Sequence, residues 1–360
     1  RQTSELLPET MVSSWDLTED GALITYSEDI TKKTDYDVIF GSESKLMARQ
    51  LVDGKTRTVL PTLKGLSLVW SEDGSRYAYG KEGRVYVATL NDTAAKQVAG
   101  APPEAKRDTP PDTSKEARER RDRERFSPVR YSPTNDALLV SNREGIWLLD
   151  VASGSKDLVV ATSDSDLALP RVTTAAWTRD GKQIYFTFAS RTKWERGVLR
   201  YDRVTKKMED LARDRRSYSG LRLSKDGKVA VLSIAEGNRP SELFVSDARL
   251  QGLRRLVDAN PQLRAKQLGP TDLLTYLDAD GHQKYGVVYY PSGYERGKAY
   301  PTVFNIYEDF FDDSFDPTAS VLAANGYVVV KPSVDFDIGF PGEAWIKGVT
   351  AAANKLIEMG

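Results

Sequence analysis

One short phrase recurs five times along this chain and restricts its fold more than any other feature. An apolar or aromatic residue is followed by a small polar one, a turn of the Asp-Gly type, and an alternating apolar strand. The instances are Trp15-Asp16-Leu17-Thr18-Glu19-Asp20-Gly21, Trp70-Ser71-Glu72-Asp73-Gly74, Tyr131-Ser132-Pro133-Thr134-Asn135-Asp136, Trp177-Thr178-Arg179-Asp180-Gly181 and Leu223-Ser224-Lys225-Asp226-Gly227. Counted from the last residue of each turn, the steps are 53, 62, 45 and 46 residues. A phrase repeating at about 40–50 residues is the mark of a radial array of four-stranded blades, a β-propeller.

The long second step has a visible cause. Residues 101–126 are rich in Pro and charge and hold almost no large apolar side chain. Their first half carries Pro102, Pro103, Pro110 and Pro111 and reads as extended or disordered. Ser114 to Arg125 reads as a charged helix on a surface excursion, because Lys, Glu, Arg and Ala favour that state. Around the insert the strands alternate with Gly and Asp turns, as in Arg76 to Tyr79 with Val85 to Ala88, and Gln183 to Phe188 with Val198 to Tyr201. The residue opening each phrase is expected to wedge between neighbouring blades. Five blades are visible, and because propellers protect their edges by closure, further blades are expected ahead of the first.

Beyond residue 262 the pattern changes. Thr271 to Leu277 reads as a strand, Asp278-Ala279-Asp280-Gly281 as its hairpin turn, and Lys284 to Tyr290 as the return strand. Pro301 to Tyr307 reads as a buried strand. Asp316-Pro317 reads as an N-cap with Pro at the first helical position, and Asn325-Gly326 ends that helix. Tyr327 to Lys331 is nearly all apolar, as a strand covered on both faces should be. Glu343 to Met359 is a helix with a stripe of Trp345, Val349, Ala352 and Leu356. Hairpin, strand, helix, strand, helix is the opening of a doubly wound α/β sheet. The expected architecture is a multidomain chain: residues 1–262 a β-propeller with the insert 101–126, and residues 263–360 the N-terminal part of an α/β domain.

Composition narrows the partners. Lys and Arg number 51 against 52 Asp and Glu, so no global field draws nucleic acid or an anionic membrane. No apolar run reaches the ~20 residues of a membrane span. There is no cysteine, which excludes disulfides and a Cys nucleophile, and the single histidine, His282, argues against a zinc site. No metal and no cofactor are expected. No signal peptide is visible, and the compartment stays open, with a periplasmic or secreted location slightly favoured.

The order of these segments resembles the prolyl oligopeptidase family of serine peptidases. The resemblance rests on Asn238-Arg239-Pro240-Ser241-Glu242-Leu243-Phe244-Val245 in the last blade, followed by Leu256-Val257-Asp258-Ala259-Asn260. It continues in Gly286-Val287-Val288-Tyr289-Tyr290-Pro291, in Tyr300-Pro301-Thr302-Val303-Phe304-Asn305-Ile306-Tyr307, and in Ala323-Ala324-Asn325-Gly326-Tyr327-Val328-Val329-Val330. The dipeptidyl-peptidase, acylaminoacyl-peptidase and glutamyl-endopeptidase branches are the most similar. The resemblance implies an α/β-hydrolase domain after residue 262 and hydrolysis of peptides through an acyl-enzyme intermediate.

That chemistry needs a Ser on a Gly-x-Ser-x-Gly elbow, a His base, an Asp to orient it and donors for the oxyanion. The chain contains no Gly-x-Ser-x-Gly. His282 lies in the first hairpin, where an exposed turn residue is expected rather than a triad base. The implied reading is the front portion of a peptidase that stops short of its nucleophile and is inactive alone. One catalytic element is implied to lie on the chain: Tyr307 matches the tyrosine whose hydroxyl serves the oxyanion hole. The family follows it with a Gly-Gly-Pro-like turn, whereas Glu308-Asp309-Phe310 stand here. The acidic run Glu308, Asp309, Asp312, Asp313 and Asp316 does not have the spacing of a calcium loop. With Phe310, Phe311 and Phe315 it reads as a packed or pocket-lining loop, and Asp335 to Phe340 reads likewise.

The expected partners are a peptide or small-protein substrate and the remainder of the hydrolase domain. A homo-oligomer is compatible with the sequence; nucleic acid and membrane are not expected partners. Two alternatives share the pattern: a propeller that only binds or scaffolds a partner, and an esterase or other acyl hydrolase on the same fold.

Overall fold

A computed structural model of the chain describes residues 5–7, 12–31, 43–92, 94–102, 114–162, 170–190, 192–306, 315–334 and 340–360. Its contacts divide it into two compact units, Arg1–Asp164 with Arg179–Gly181, and Ser165–Thr178 with Lys182–Gly360. The architecture is nearly all β, built from successive four-stranded sheets of the blade type.

The first unit holds three antiparallel meanders. Sheet one comprises β1 (Val12–Leu17), β2 (Leu23–Asp29), β3 (Ser44–Gln50) and β4 (Thr56–Leu60). Sheet two comprises β5 (Ser67–Trp70), β6 (Arg76–Lys81), β7 (Arg84–Thr89) and β8 (Lys96–Ala99). Helix α1 (Lys115–Arg123) follows, within the expected charged stretch; the Ser114 hydroxyl caps it by accepting from Ala117 N at 3.2 Å. Sheet three comprises β9 (Ser127–Tyr131), β10 (Ala137–Asn142), β11 (Gly145–Asp150) and β12 (Lys156–Ala161).

The second unit continues with two more meanders. These are β13 (Arg171–Trp177), β14 (Gln183–Ser190), β15 (Glu195–Asp202) and β16 (Lys207–Asp214), then β17 (Ser217–Leu223), β18 (Val229–Glu236), β19 (Arg239–Asp247) and β20 (Arg254–Arg255). The sixth sheet differs. Its members are β21 (Thr271–Leu277), β22 (Gln283–Tyr289), β23 (Thr302–Phe304) and β24 (Val328–Pro332), in the order β21-β22-β24-β23. β23 runs parallel to β24, while the other pairs are antiparallel. Helix α2 (Pro317–Ala324) joins the parallel strands and α3 (Pro341–Met359) follows them.

The recurring phrase has a physical cause. In sheet two the Ser71 hydroxyl accepts from Arg76 N at 2.9 Å and donates to Asp73 at 2.6 Å, and Asp73 accepts from Ser75 N at 3.0 Å. Thr18 with Asp20 and Ser224 with Asp226 repeat this latch. In the third phrase the carboxylate has moved: Ser132 and Thr134 both donate to Asp136, at 2.7 and 2.6 Å. There Asn135, not Asp136, takes the left-handed position that Gly21, Gly74, Gly181 and Gly227 hold elsewhere, with φ of 59°. The latch also corrects the register of the first phrase. Thr18 is the counterpart of Ser71, so Leu17 matches Trp70 and Trp15 matches Leu68.

The wedge expectation holds at Trp70, Tyr131 and Leu223 and fails at Trp15, which is 68 % exposed. Leu68 and Trp70 pack with Leu46 and Leu60 of sheet one, and Tyr131 is buried with Ala78, Val85 and Val98 of sheet two. Leu221 and Leu223 pack with Ala176, Tyr185 and Val198 of sheet four. Strand alternation accounts for this: Tyr77 and Tyr79 point toward sheet one, Ala78 toward sheet three.

The same alternation splits the sixth sheet into two cores. Val329 points with Val287 and Tyr289 into the cluster holding Ala319 and Ala323 of α2. Val328 and Val330 point with Leu274 and Val288 toward Ala352 of α3. Helix α3 starts at Pro341, two residues earlier than its apolar stripe suggests, because Pro fits the first turn of a helix. β23 is shorter than the apolar run 301–307.

Candidate functional site

Open α/β sheets place ligands beyond the C-terminal ends of their parallel strands. Here those ends are Phe304 of β23 and Lys331-Pro332 of β24. Asn305 N continues the ladder past β23 by donating to Val330 O at 2.8 Å. Tyr276 Oη anchors the chain past β24, donating to Ser333 O at 2.9 Å.

Lys331 is the chemically distinct residue here. It follows three valines on a fully buried strand and is itself buried. Alternation turns it, like Val329, toward α2. There its Nζ lies 3.2 Å from Asp316 Oδ2, while Asp316 Oδ1 accepts from Ala319 N at 3.0 Å. Asp316 therefore caps α2, as the Asp-Pro pair predicts, and ties its N-terminus to the end of β24. A cation held in this way is spent on its carboxylate; it fixes the frame of the strand ends and is no nucleophile. Sequence reading found the cap but missed the ion pair. The signal was a lysine ending a Val-Val-Val run, since an interior lysine requires a partner.

Tyr307, the expected oxyanion donor, lies outside the described residues. So do Glu308, Asp309, Phe310, Phe311, Asp312 and Asp313, and residues 335–339 of the second aromatic-acidic loop. Phe315 and Phe340 are described, and Phe340 is exposed.

His282 sits in the β21–β22 turn with its side chain 69 % exposed, 3.5 Å from Asp278. Asp278, Asp280 and His282 form the one group with metal-ligand proximity found among the described residues. Ammonium groups already serve its carboxylates: Lys284 lies 3.6 Å from Asp278, and Lys347 lies 3.0 Å from Asp280 and 3.2 Å from Glu343. Burial pushes the Asp278 carboxyl up, but N–H donation from His282 and Asp280 and the Lys284 charge outweigh it and hold it below the usual range. The arrangement is that of a tethered hairpin: Lys347 fastens the turn to α3. A groove of about 580 Å³ runs beside it, lined by Leu277, Gln283, Ile346, Lys347 and Asn354 among others.

Neither a protein-family model nor a curated protein matches the chain. Solved structures do. A puromycin-hydrolyzing peptidase of Mycobacterium tuberculosis aligns with TM-score 0.63 at 15% identity, over 96% of this chain and 56% of that one. Prolyl oligopeptidase B of Galerina marginata aligns with TM-score 0.64 at 11% identity, over 96% and 50%. An acylaminoacyl peptidase of Pyrococcus horikoshii aligns with TM-score 0.61 at 13% identity, over 91% and 52%. The chain shares the fold of prolyl oligopeptidase-family peptidases. It spans about half the length of each of these relatives. Among the described residues no helix is long and apolar enough to cross a membrane.

Proposed function

We propose that this chain is the front portion of a serine peptidase of the prolyl oligopeptidase family. In this reading residues 1–262 are its propeller and residues 263–360 open its α/β-hydrolase domain. The propeller restricts access to the peptide substrate, and the hydrolase domain cleaves it. The observation that carries the reading is the change of sheet type after the fifth meander. A sheet in the order β21-β22-β24-β23, with one parallel pair joined through α2, departs from the blade pattern and supports the reading of a doubly wound entry.

The chemistry then divides between residues on the chain and residues supplied by the rest of the polypeptide. A serine Oγ attacks the scissile carbonyl carbon while a histidine accepts its proton. The C–N bond breaks as that proton passes to the leaving amine, and water hydrolyses the acyl-enzyme. All three triad members come from the remainder of the domain. From this chain, the Tyr307 hydroxyl donates to the oxyanion, where a preorganised donor acts most strongly. Lys331 and Asp316 tie the end of β24 to the N-terminus of α2.

The test uses the longer natural polypeptide and a fluorophosphonate probe. The reading expects covalent labelling of one serine and turnover of chromogenic peptide substrates. The 360-residue chain alone should show neither. An unlabelled long polypeptide that binds peptides without cleaving them points to a scaffold, and cleavage of esters but not peptides points to an acyl hydrolase.

A further inference from the structure

Among aspartyl dipeptides, Asp-Gly rearranges its own backbone most readily, because glycine has no Cβ to shield the amide nitrogen that attacks. The chain holds six such pairs, at Asp20, Asp53, Asp73, Asp180, Asp226 and Asp280. In each, the glycine nitrogen reaches the side-chain carboxyl carbon only when that carboxyl is free to swing onto it. What holds each carboxyl therefore decides which pair reacts.

The repeated turns hold theirs from within. Asp20 accepts from the Thr18 hydroxyl at 2.6 Å and from Ala22 N at 3.0 Å. Asp73 accepts from Ser71, Ser75 and Asn135, and Asp226 accepts from the Ser224 hydroxyl and from Lys228 N at 3.1 Å. The Thr178 hydroxyl accepts from Gln183 N at 2.9 Å, which sets Asp180 in the same frame. Asp53, outside the phrases, accepts from Lys55 N at 3.0 Å.

The turn between β21 and β22 has the same outline but a different latch. Gly281 N donates to Asp278 O at 3.1 Å, as Gly74 N does to Ser71 O at 3.0 Å, so Asp280 stands where Asp73 stands. Here Asp278 takes the donors instead: Asp280 N and His282 N both donate to its Oδ1, at 2.9 and 2.8 Å. Among the described residues, the Asp280 carboxylate keeps one partner, the Lys347 ammonium of α3 at 3.0 Å. The two side chains are 49 % and 34 % exposed, so this pair is weak and screened by salt. Gly281 is exposed too, and a Cβ there would meet no atom within 4 Å.

We infer that Asp280-Gly281 is a site of isoaspartate formation and that Lys347 is the brake on it. Gly281 N attacks Cγ of the protonated Asp280 carboxyl; the N–Cγ bond forms, and the carboxyl hydroxyl leaves with the amide proton as water. Water then adds to the former main-chain carbonyl carbon of Asp280, and the bond from that carbon to Gly281 N breaks. The chain now runs through Cβ and Cγ, one atom longer, and the free carboxylate stands on Cα. That product is the substrate class of a carboxyl methyltransferase using S-adenosylmethionine. The lengthened turn no longer offers Lys347 the carboxylate it held, so the tether between hairpin and α3 is lost. The inference rests on the turn alone and holds whatever reaction the protein catalyses.

The test ages the natural polypeptide at mildly acidic pH and low salt. Isoaspartate is mapped by peptide chromatography and by methyl transfer from labelled S-adenosylmethionine, since isomerisation leaves the mass unchanged. Freeing a carboxylate from two hydrogen bonds lowers its reactive fraction about tenfold or more, whereas an exposed ion pair lowers it about two- to fivefold. Asp280 should therefore lead the other five pairs, and Lys347→Met should speed it about two- to fivefold while leaving the others unchanged. Raised salt should also speed position 280 in the native protein, which decides the lysine's part if Lys347→Met disturbs α3. Asp280→Glu should abolish the product in that peptide. In concentrated urea the lead of Asp280 should vanish. Earlier or equal accumulation at another Asp-Gly pair overturns the inference, as does product in the Asp280→Glu peptide, which would come from Asp278. A lead that persists unchanged in urea overturns it too, because local sequence and not the fold then sets the rate. A rate at position 280 that responds neither to Lys347→Met nor to salt overturns the brake.

Discussion

At the scale of single residues, the turn latch governs both stability and legibility. Asp73 is its best-developed example. Partial burial pushes its carboxyl up, but hydrogen bonds from Ser71, Ser75 and Asn135 outweigh that and bring it to about 2, from 3.8. A depressed carboxyl stabilises the fold fully above its unfolded value, and the contribution fades as pH falls from 3.8 toward about 2. Asp73→Asn should therefore cost about 1 kcal/mol near neutral pH, a figure kept low because the group is largely solvated. The difference from the native chain should shrink through that acid window, as urea titrations at stepped pH will show. A constant difference would mean that charge plays no part. The same latch shows where sequence reading failed. Aromatic spacing suggested Trp15 as the head of the first phrase, but the hydroxyl, not the ring, sets the register, and a tryptophan two positions early misleads. In the third phrase the carboxylate had moved two places along the turn, so the Asp marked the wrong residue as the left-handed one.

At the scale of elements, the strands and helices of the sixth sheet were legible because alternation, the Asp316-Pro317 cap and the α3 stripe all agree. What could not be read was which hairpin tip reaches it. Trp194, between β14 and β15, is buried against Val287, Tyr289, Ala319 and Ala323, with a left-handed φ of 49°. Its indole Nε1 has no hydrogen-bond partner among the described residues, and the Arg215 guanidinium lies over its ring at 5.5 Å. Arg215 also pairs with Asp272 of β21, at 3.6 Å. Trp194→Ala empties a packed site and should cost about 3–5 kcal/mol. Trp194→Phe keeps most of the ring and deletes a donor that satisfies nothing, so it should cost clearly less. Equal losses for the two would show that the indole N–H matters after all. The Asp316–Lys331 pair supplies a second comparison. Asp316→Ser retains a capping oxygen and loses the buried pair, whereas Asp316→Ala loses both. The first should cost up to about 3–5 kcal/mol and the second roughly 1 kcal/mol more, read from urea midpoints.

At the scale of the whole molecule, repeats and element order carry the fold, whereas the site depends on a few side chains that neither repeats nor periodicity mark. The decisive prediction therefore concerns Tyr307. The proposed function gives its hydroxyl to the oxyanion, a charge that exists only in the transition state and the tetrahedral intermediate. Tyr307→Phe in the longer polypeptide removes one donor and nothing else from substrate binding. It should lower kcat by about 10²–10³ and leave KM nearly unchanged. Lys331→Met acts on the frame and not on the charge, so its effect should appear in Tm as well as in kcat. A Tyr307→Phe enzyme with unaltered kcat would remove the catalytic role from this tyrosine. It would leave the peptidase reading to stand on phosphonate labelling of a serine, with the oxyanion donors supplied by backbone N–H groups or by other side chains.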